Sequence, residues 1–308
     1  MVSNCAEETP TRKFIGFCRG LLASTSSPQR LRISGVPGSG KTRSIIDAAV
    51  ELLFEGQGEH SVLLLGCTEE AGTTLHNECL SRIQAAQKSR NVNPKGTLGE
   101  AVSLKAVVRS CYPARNLQST EESFPVATSE RVLGSYDPDH ERRPGTADRM
   151  TYVRNQIGHF FAHWIQSDCA DITHFLTGGR DNSCNITPME REVFKKYFHH
   201  PSISFSIPNF RSKIAEVIKG YWTSFIQGDV DLGHESYAKR LLTHKTAGAH
   251  PSEKLLPINP ATCQYSFVFV DDAQDMTKAQ YRLIEVLFPK SHIVYVGDVM
   301  QSICSRWC

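Results

Sequence analysis

A chain of 308 residues, 40% hydrophobic and 21% charged, can bury a large core and reads as an ordinary soluble globular protein of roughly two domains. Its 34 basic and 32 acidic residues leave a net charge of +2, so no global field draws in nucleic acid, and any DNA or RNA contact must come from a local groove. No apolar run is long enough to cross a bilayer, the first eight residues lack the basic-then-apolar pattern of a signal peptide, and the 10 cysteines form no Cys-x-x-Cys pair, which points to reduced thiols in an intracellular protein.

The first predicted element is a short strand, Leu31-Arg32-Ile33, where apolar and polar residues alternate. Gly35-Val36-Pro37-Gly38-Ser39-Gly40-Lys41-Thr42 follows, a glycine, four residues, then Gly-Lys-Thr. Its glycines let the backbone curl so that successive N–H groups face phosphate oxygens. Lys41 can reach the β- and γ-phosphates, and the Thr42 hydroxyl can ligate Mg²⁺. Ile45, Ile46, Ala49, Leu52 and Leu53 then recur at helical spacing until Gly56 ends the run. Strand, phosphate loop and helix in that order predict a site for ATP or GTP, with the positive end of the helix beneath the phosphates.

Ser61 to Cys67 is a continuous apolar run of strand length, the mark of a strand covered on both faces in a parallel sheet. A helix is expected over residues 70 to 87, with Leu75, Cys79, Leu80 and Ile83 on one side, and residues 101 to 108 read as a third strand or a strand-to-helix junction. The alternation predicts an α/β layered fold. Residues 120 to 148, with Pro125, Pro138 and Pro144, suit a mobile loop or insertion. Helical stripes follow in residues 149 to 245: Val153, Ile157, Phe160, Phe161 and Trp164, then Ile214, Val217, Ile218, Tyr221, Trp222 and Phe225. After the prolines at 251, 257 and 260, strands return at Phe267 to Val270 and Ile293 to Val296, with a helix carrying Tyr281, Ile284, Leu287 and Phe288 between them. The expectation is a nucleotide-binding sheet interrupted by a mostly helical insertion.

Both late strands end in side chains suited to phosphate chemistry, at the carboxyl edge where α/β sheets bind ligands. Asp271 directly follows an apolar strand, as a carboxylate that holds Mg²⁺ must, and Asp272 is placed to orient or deprotonate an attacking water. Gln301, a few residues past the last strand, can hydrogen-bond a γ-phosphate and so report whether ATP or ADP is bound.

These three stations together resemble the UvrD/Rep family of superfamily 1 helicases. The family's Walker A loop, Gly-x-x-Gly-x-Gly-Lys-Thr and then Arg, is matched from Gly35 to Arg43. Its Walker B, Val-Asp-Glu-x-Gln-Asp, is met by Val270-Asp271-Asp272-Ala273-Gln274-Asp275, and its Val-Gly-Asp-x-x-Gln-Ser-Ile by residues 296 to 303. Residues 234 to 241 also look like the stretch before Walker B in F-box-type DNA helicases, although no F-box is apparent. The resemblance implies a P-loop NTPase of RecA-like fold: residues 1–112 as the first part of the ATP-binding domain, 113–262 as the helical inserted subdomain, and 263–308 as the second part. It implies Mg²⁺ and ATP as cofactors, with Gly35, Val36, Pro37, Gly38, Ser39, Gly40, Lys41, Thr42 and Arg43 cradling the nucleotide. Thr42 and Asp271 hold the metal, and Lys41, Asp272 and Gln301 act in catalysis. The implied activity is ATP-driven translocation along single-stranded or partly duplex DNA with unwinding, in a nuclear setting if the F-box-type likeness holds, and with DNA repair as the family's suggested context.

The sequence departs from the family in five respects, one being that after Gln-Ser-Ile Cys304 replaces the family's Tyr and Trp307 lies one residue late. Asp272 stands where the family has Glu, one methylene farther from its water, and a displacement of about 1 Å can cost on the order of 10²-fold in rate. The adenine-reading Gln upstream of the P-loop has no counterpart. The DNA-contacting Phe-Thr-Asn-Lys-Ala is replaced by Cys67-Thr68-Glu69-Glu70-Ala71, losing an aromatic whose stacking is worth about 1–3 kcal/mol per base. The second RecA-like domain, whose arginines reach the γ-phosphate, is expected from elsewhere in cis or trans. The expectation is therefore a motor half that binds nucleotide and does not unwind unaided. The alternative is a nucleotide-gated binding module that recruits a partner without turnover, and a small-molecule kinase is disfavoured by the Gln-bearing third station.

Overall fold

The computed structural model describes residues 9–23, 27–55, 61–111, 164–169, 219, 222–223, 238–243 and 264–298. The chain divides into two compact units, one comprising Met1–Pro113, Leu256–Met276 and Ile284–Cys308, the other Ala114–Leu255 and Thr277–Leu283. The predicted loop at 120–148, most of the two helical stripes, and Gln301 with its neighbours from Val299 onward lie outside the described residues.

In the first unit the elements run α1 (Pro10–Ala23), β1 (Arg30–Ser34), α2 (Lys41–Phe54), β2 (Ser61–Leu65), α3 (Glu69–Arg90), β3 (Thr97–Leu98), α4 (Leu104–Cys111), β4 (Phe267–Val270) and β5 (His292–Gly297). A further helix, α5 (Lys278–Leu287), precedes β5. The five strands form one sheet, parallel throughout, in the order β1-β5-β4-β2-β3. This is the α/β layered fold with a parallel sheet that the alternation of elements predicts.

Side chains alternate across a strand, so an apolar strand buried on both faces supplies two cores. Val62, Leu64, Phe267, Phe269, Val294 and Val296 share one cluster with Ile45, Ile46, Ala49, Leu52 and Leu53 of α2 and with Leu75, Cys79 and Ile83 of α3. The intervening Leu63, Leu65, Val268, Val270, Ile293 and Tyr295 are buried as well, which is why these strands read as unbroken apolar runs. Phe269 stacks on Phe267 at 5.6 Å and meets Phe14 of α1 edge-on at 6.3 Å. Burying each such ring is worth about 1.5–3 kcal/mol.

Two details differ from the predicted elements, and a third settles between the two readings of residues 101–108. Leu80 is exposed: on α3 the buried residues are Gly72, Leu75, Cys79 and Ile83, and Leu80 falls one residue round from that 75-79-83 stripe. The 101–108 segment is a strand-to-helix junction, Ser103 bridging to Gly66 before α4 begins, while the third strand is the shorter Thr97–Leu98. Helix α1 was not expected. Its signal was present in Phe14, Ile15, Cys18 and Leu21 at helical spacing behind Pro10, a residue suited to the first helical position.

Burial pushes the Cys18 and Cys79 thiols up to about 12, so neither is a reactive thiolate. Among the described residues Cys18, Cys67, Cys79 and Cys169 are all free. No helix among the described residues is long and apolar enough to cross a membrane.

His292 opens β5 and accepts the Gln29 N–H at Nδ1, 3.2 Å away, while its ring stacks on Phe267 at 5.0 Å. Burial, with Arg30 nearby, lowers its pKa below the ordinary histidine value. A folded-state pKa below the unfolded one gives stability that is complete above the ordinary histidine range and lost as pH falls through the lowered value. The melting temperature is therefore expected to drop from pH 7 to pH 5. Melts of His292→Gln over the same range should show a shallower slope, and an unchanged slope would rule this residue out as the cause.

In the second unit, Lys239 is fully buried and donates from Nζ to the carbonyls of Ser167 (2.8 Å) and Cys169 (2.7 Å). Its ammonium lies 5.0 Å from the Trp164 ring, which in turn meets Trp222 edge-on at 4.8 Å. A buried charge needs such partners, because leaving water unpaired costs several kcal/mol.

Candidate nucleotide-binding site

Placing β5 between β1 and β4 brings three strand ends to one edge of the sheet. The register pairs Ser34 of β1 with Gly297 of β5, and Val270 of β4 with Tyr295. The loops that follow β1 and β4 therefore open beside the tip of β5.

Behind β1, Gly38 and Gly40 take φ of 72° and 78°, conformations that strain any residue with a Cβ. The Ser39 N–H donates to the Val36 carbonyl at 3.2 Å and closes the curl. Gly40 is the N-cap of α2, and no side chain caps that helix. Its first-turn N–H groups and the positive end of its dipole thus lie at the mouth of the loop, an arrangement that binds anions. Lys41 Nζ donates to the carbonyls of Gly35 (2.7 Å) and Val36 (2.9 Å), so the loop itself positions the ammonium. Arg43 points outward, with its side chain 75% exposed, and sits 3.9 Å from Asp47.

Thr42 Oγ1 donates to Asp271 Oδ2 at 2.7 Å, joining two residues 229 apart in the chain. Asp271 is buried, and its N–H is tied to the Leu65 carbonyl of β2 at 2.9 Å. Burial raises its pKa above the usual carboxylate value, against the lowering effect of the Thr42 hydrogen bond. Asp272, one residue later, is exposed, so adjacent carboxylates meet very different surroundings. Its backbone is left-handed, φ 51° and ψ 38°, one of two such non-glycine residues among those described. A non-glycine in that conformation costs on the order of 1–3 kcal/mol, and such strain gathers at functional sites.

The hydroxyl of Thr42 and the carboxylate of Asp271 are the hard oxygen donors that Mg²⁺ prefers, and the uncapped helix end beside them suits phosphate. Mg²⁺ would supply charge neutralisation for a polyphosphate there. Keeping a buried carboxylate ionised has a stability cost when its folded pKa lies above the unfolded one. Asp271→Asn is accordingly expected to raise the melting temperature of the nucleotide-free protein at neutral pH while abolishing the Mg²⁺-dependent part of nucleotide affinity. A melting temperature that falls would contradict the burial argument.

Two features of the site were not anticipated. The N-terminal half of α1 lies against the start of α2, where the Thr11 and Ser44 hydroxyls are 3.1 Å apart. Thr9, Thr11 and Arg12 there line a cavity of about 810 Å³ with Ser39, Gly40 and Arg43 of the P-loop. The volume lies within the range of small-molecule pockets. The second is Gln274, whose amide spans from Asp272 to Asp298. Gln274 belongs to the 270–275 motif, but its contact with the end of β5, like the cavity, depends on which segments fold against each other.

A family profile described as an AAA domain, AAA_19, matches residues 21–306. The chain belongs to this family of P-loop NTPases. AAA_19 domains are found in UvrD/Rep-like helicases. No curated protein matches the chain closely enough to count as a relative. For this AAA domain the match spans both the P-loop and the Asp271-Asp272 station, the segments that the sheet order brings to one edge.

Proposed function

We propose that this AAA domain is the ATP-binding portion of a superfamily 1, UvrD-like DNA helicase. In this reading it binds Mg-ATP and couples hydrolysis to movement along single-stranded DNA and to unwinding. The observation that carries the reading is the Thr42–Asp271 hydrogen bond at the foot of an uncapped helix, with the tip of β5 alongside. Lys41 and the loop from Gly35 to Arg43 hold the phosphates, and Thr42 and Asp271 hold Mg²⁺. Asp272 takes the proton of the attacking water, and Gln301 senses the γ-phosphate. The cavity beside α1 accepts the nucleoside end, with Thr9, Thr11 and Arg12 doing the work that a glutamine does in the family.

The domains in this reading are 1–112 and 263–308 for the ATP-binding core and 113–262 for the helical insert. Single-stranded or partly duplex DNA is the partner, and a second RecA-like domain in cis or trans supplies an arginine, worth about 10³–10⁵ in rate. The setting is intracellular, in the nucleus if the F-box-type likeness holds.

One observation favours the second reading, a nucleotide-gated module without turnover. Where the family's DNA-contacting segment lies, Thr68 caps α3 by accepting the Ala71 N–H at 3.1 Å, and Glu69 pairs with Arg109 at 3.3 Å. Acids in a first helical turn stabilise the helix through its dipole, and they repel a phosphate backbone. ATP hydrolysis by the purified chain with and without single-stranded DNA separates the two. DNA-stimulated turnover supports the motor; nucleotide binding with no turnover even when a RecA-like domain bearing the arginine is supplied in trans supports the module.

A further inference from the structure

Gln274 sits in the 3-10 turn, Ala273–Asp275, that follows Asp272. Its Nε2 donates to Asp272 Oδ1 at 3.3 Å, and its Oε1 accepts the Asp298 N–H at 3.0 Å. The β5 tip is shaped to admit that amide. A Cβ on Gly297 would lie 2.4 Å from Gln274 Oε1 and 3.0 Å from its backbone nitrogen. The same glycine's carbonyl accepts the Gly35 N–H, 3.3 Å away, at the start of the P-loop. A continuous polar path thus runs from the P-loop through the end of β5 and the Gln274 amide to Asp272.

The two ends of this amide are not interchangeable. A carboxylate can only accept, and a backbone N–H can only donate. Nε2 must therefore face Asp272 and Oε1 must face Asp298. Glutamate has the same length and shape, yet it would set an acceptor against the Asp272 carboxylate. The need is for an amide, and at this reach only glutamine provides one.

Asp272 has reason to need such a guide. Its carboxylate is exposed, its backbone is left-handed, and its side chain is shorter than the glutamate of the helicase pattern. An exposed, short side chain samples several rotamers unless another group holds it. We propose that Gln274 is a positioning residue that holds the Asp272 carboxylate in register with the tip of β5. This rests on the reading of Asp272 as the group that receives the proton of the attacking water. Gln274 itself touches neither nucleotide nor water in this role. It fixes where the carboxylate points, and it ties that direction to a strand end shared with the P-loop.

The test is steady-state ATPase kinetics of the full chain carrying Gln274→Glu, Gln274→Ala, Asp272→Ala and the double change Gln274→Glu/Asp272→Ala, with nucleotide affinity measured alongside. Gln274→Glu is expected to lower kcat by about 10²-fold, the scale of a misplacement near 1 Å, with KM and nucleotide affinity nearly unchanged. In the Asp272→Ala background the same substitution should cost nothing further, because a residue acting through Asp272 has nothing left to position. Equal losses in both backgrounds would overturn the role, as would normal turnover by Gln274→Glu. If Gln274→Glu fails to bind nucleotide, Gln274→Ala is read by the same comparison. A wild-type chain that binds ATP without hydrolysing it, even with a RecA-like domain bearing the arginine supplied in trans, would defeat the hydrolase reading itself, and this role with it. Normal wild-type turnover with normal Gln274→Glu turnover defeats the role alone.

Discussion

Lys41→Ala is expected to lower ATP turnover by about 10²–10³-fold, the cost of losing one preorganised donor to developing charge. Among the described residues no carboxylate makes an ion pair with this lysine, although Asp271 feels its charge. Loop carbonyls at 2.7 and 2.9 Å hold its ammonium at the end of α2, where a polyphosphate would meet it. Alanine removes the charge and leaves the curl, because Gly38 and Gly40 set the backbone and the helix begins at this point regardless. Nucleotide affinity should weaken while the melting temperature of the nucleotide-free protein stays close to wild type. Turnover that survives the substitution would mean that the hydrolysis measured comes from somewhere other than this loop.

Gly72→Ala is expected to be the most damaging small substitution in the sheet unit. A Cβ at Gly72 would lie 1.8 Å from the Val102 carbonyl oxygen and 2.7 Å from its carbon. Both are backbone atoms, held in place by the 2.9 Å hydrogen bond from the Gly66 N–H to that same carbonyl. Gly66 faces the identical constraint from the other side, since its own Cβ would meet Gly72 N at 2.3 Å. Three stretches of backbone thus touch with no side chain between them, and none can yield as a flexible side chain would. Overpacking commonly costs about 1–3 kcal/mol and more where nothing can relax. A loss of about 3 kcal/mol corresponds to roughly 4–5 °C in melting temperature for a chain of 308 residues. Gly20→Ala is the matched control. Gly20 lies on α1 with nothing within 4 Å of an added Cβ, and alanine there should stabilise by about 0.5–1 kcal/mol. If both substitutions behave alike, the close approach at Gly72 is wrong.

The strands and the phosphate loop were legible in the sequence because their causes are local. Phe267 to Val270 and Ile293 to Val296 are apolar without interruption, and only a strand covered on both faces tolerates that. The octet from Gly35 to Thr42 encodes a curl, a charge and a hydroxyl within eight residues. Helix α1 was missed although its stripe of Phe14, Ile15, Cys18 and Leu21 was there to read. Leu80 was placed inside because it is apolar, while the face of α3 is decided by position around the helix axis.

What the sequence by itself determined is the class of chemistry: a P-loop, a carboxylate at a strand end, and the strands and helices that carry them. These follow from short-range patterns of backbone freedom, charge and apolar periodicity. Which residues meet was decided only by the tertiary structure. The Thr42–Asp271 hydrogen bond, the reach of Gln274 from Asp272 to Asp298, and the cavity between α1 and the P-loop all join segments through the sheet order β1-β5-β4-β2-β3. Strand order is set by the packing of whole layers against one another, a long-range balance that no stretch of a few residues encodes.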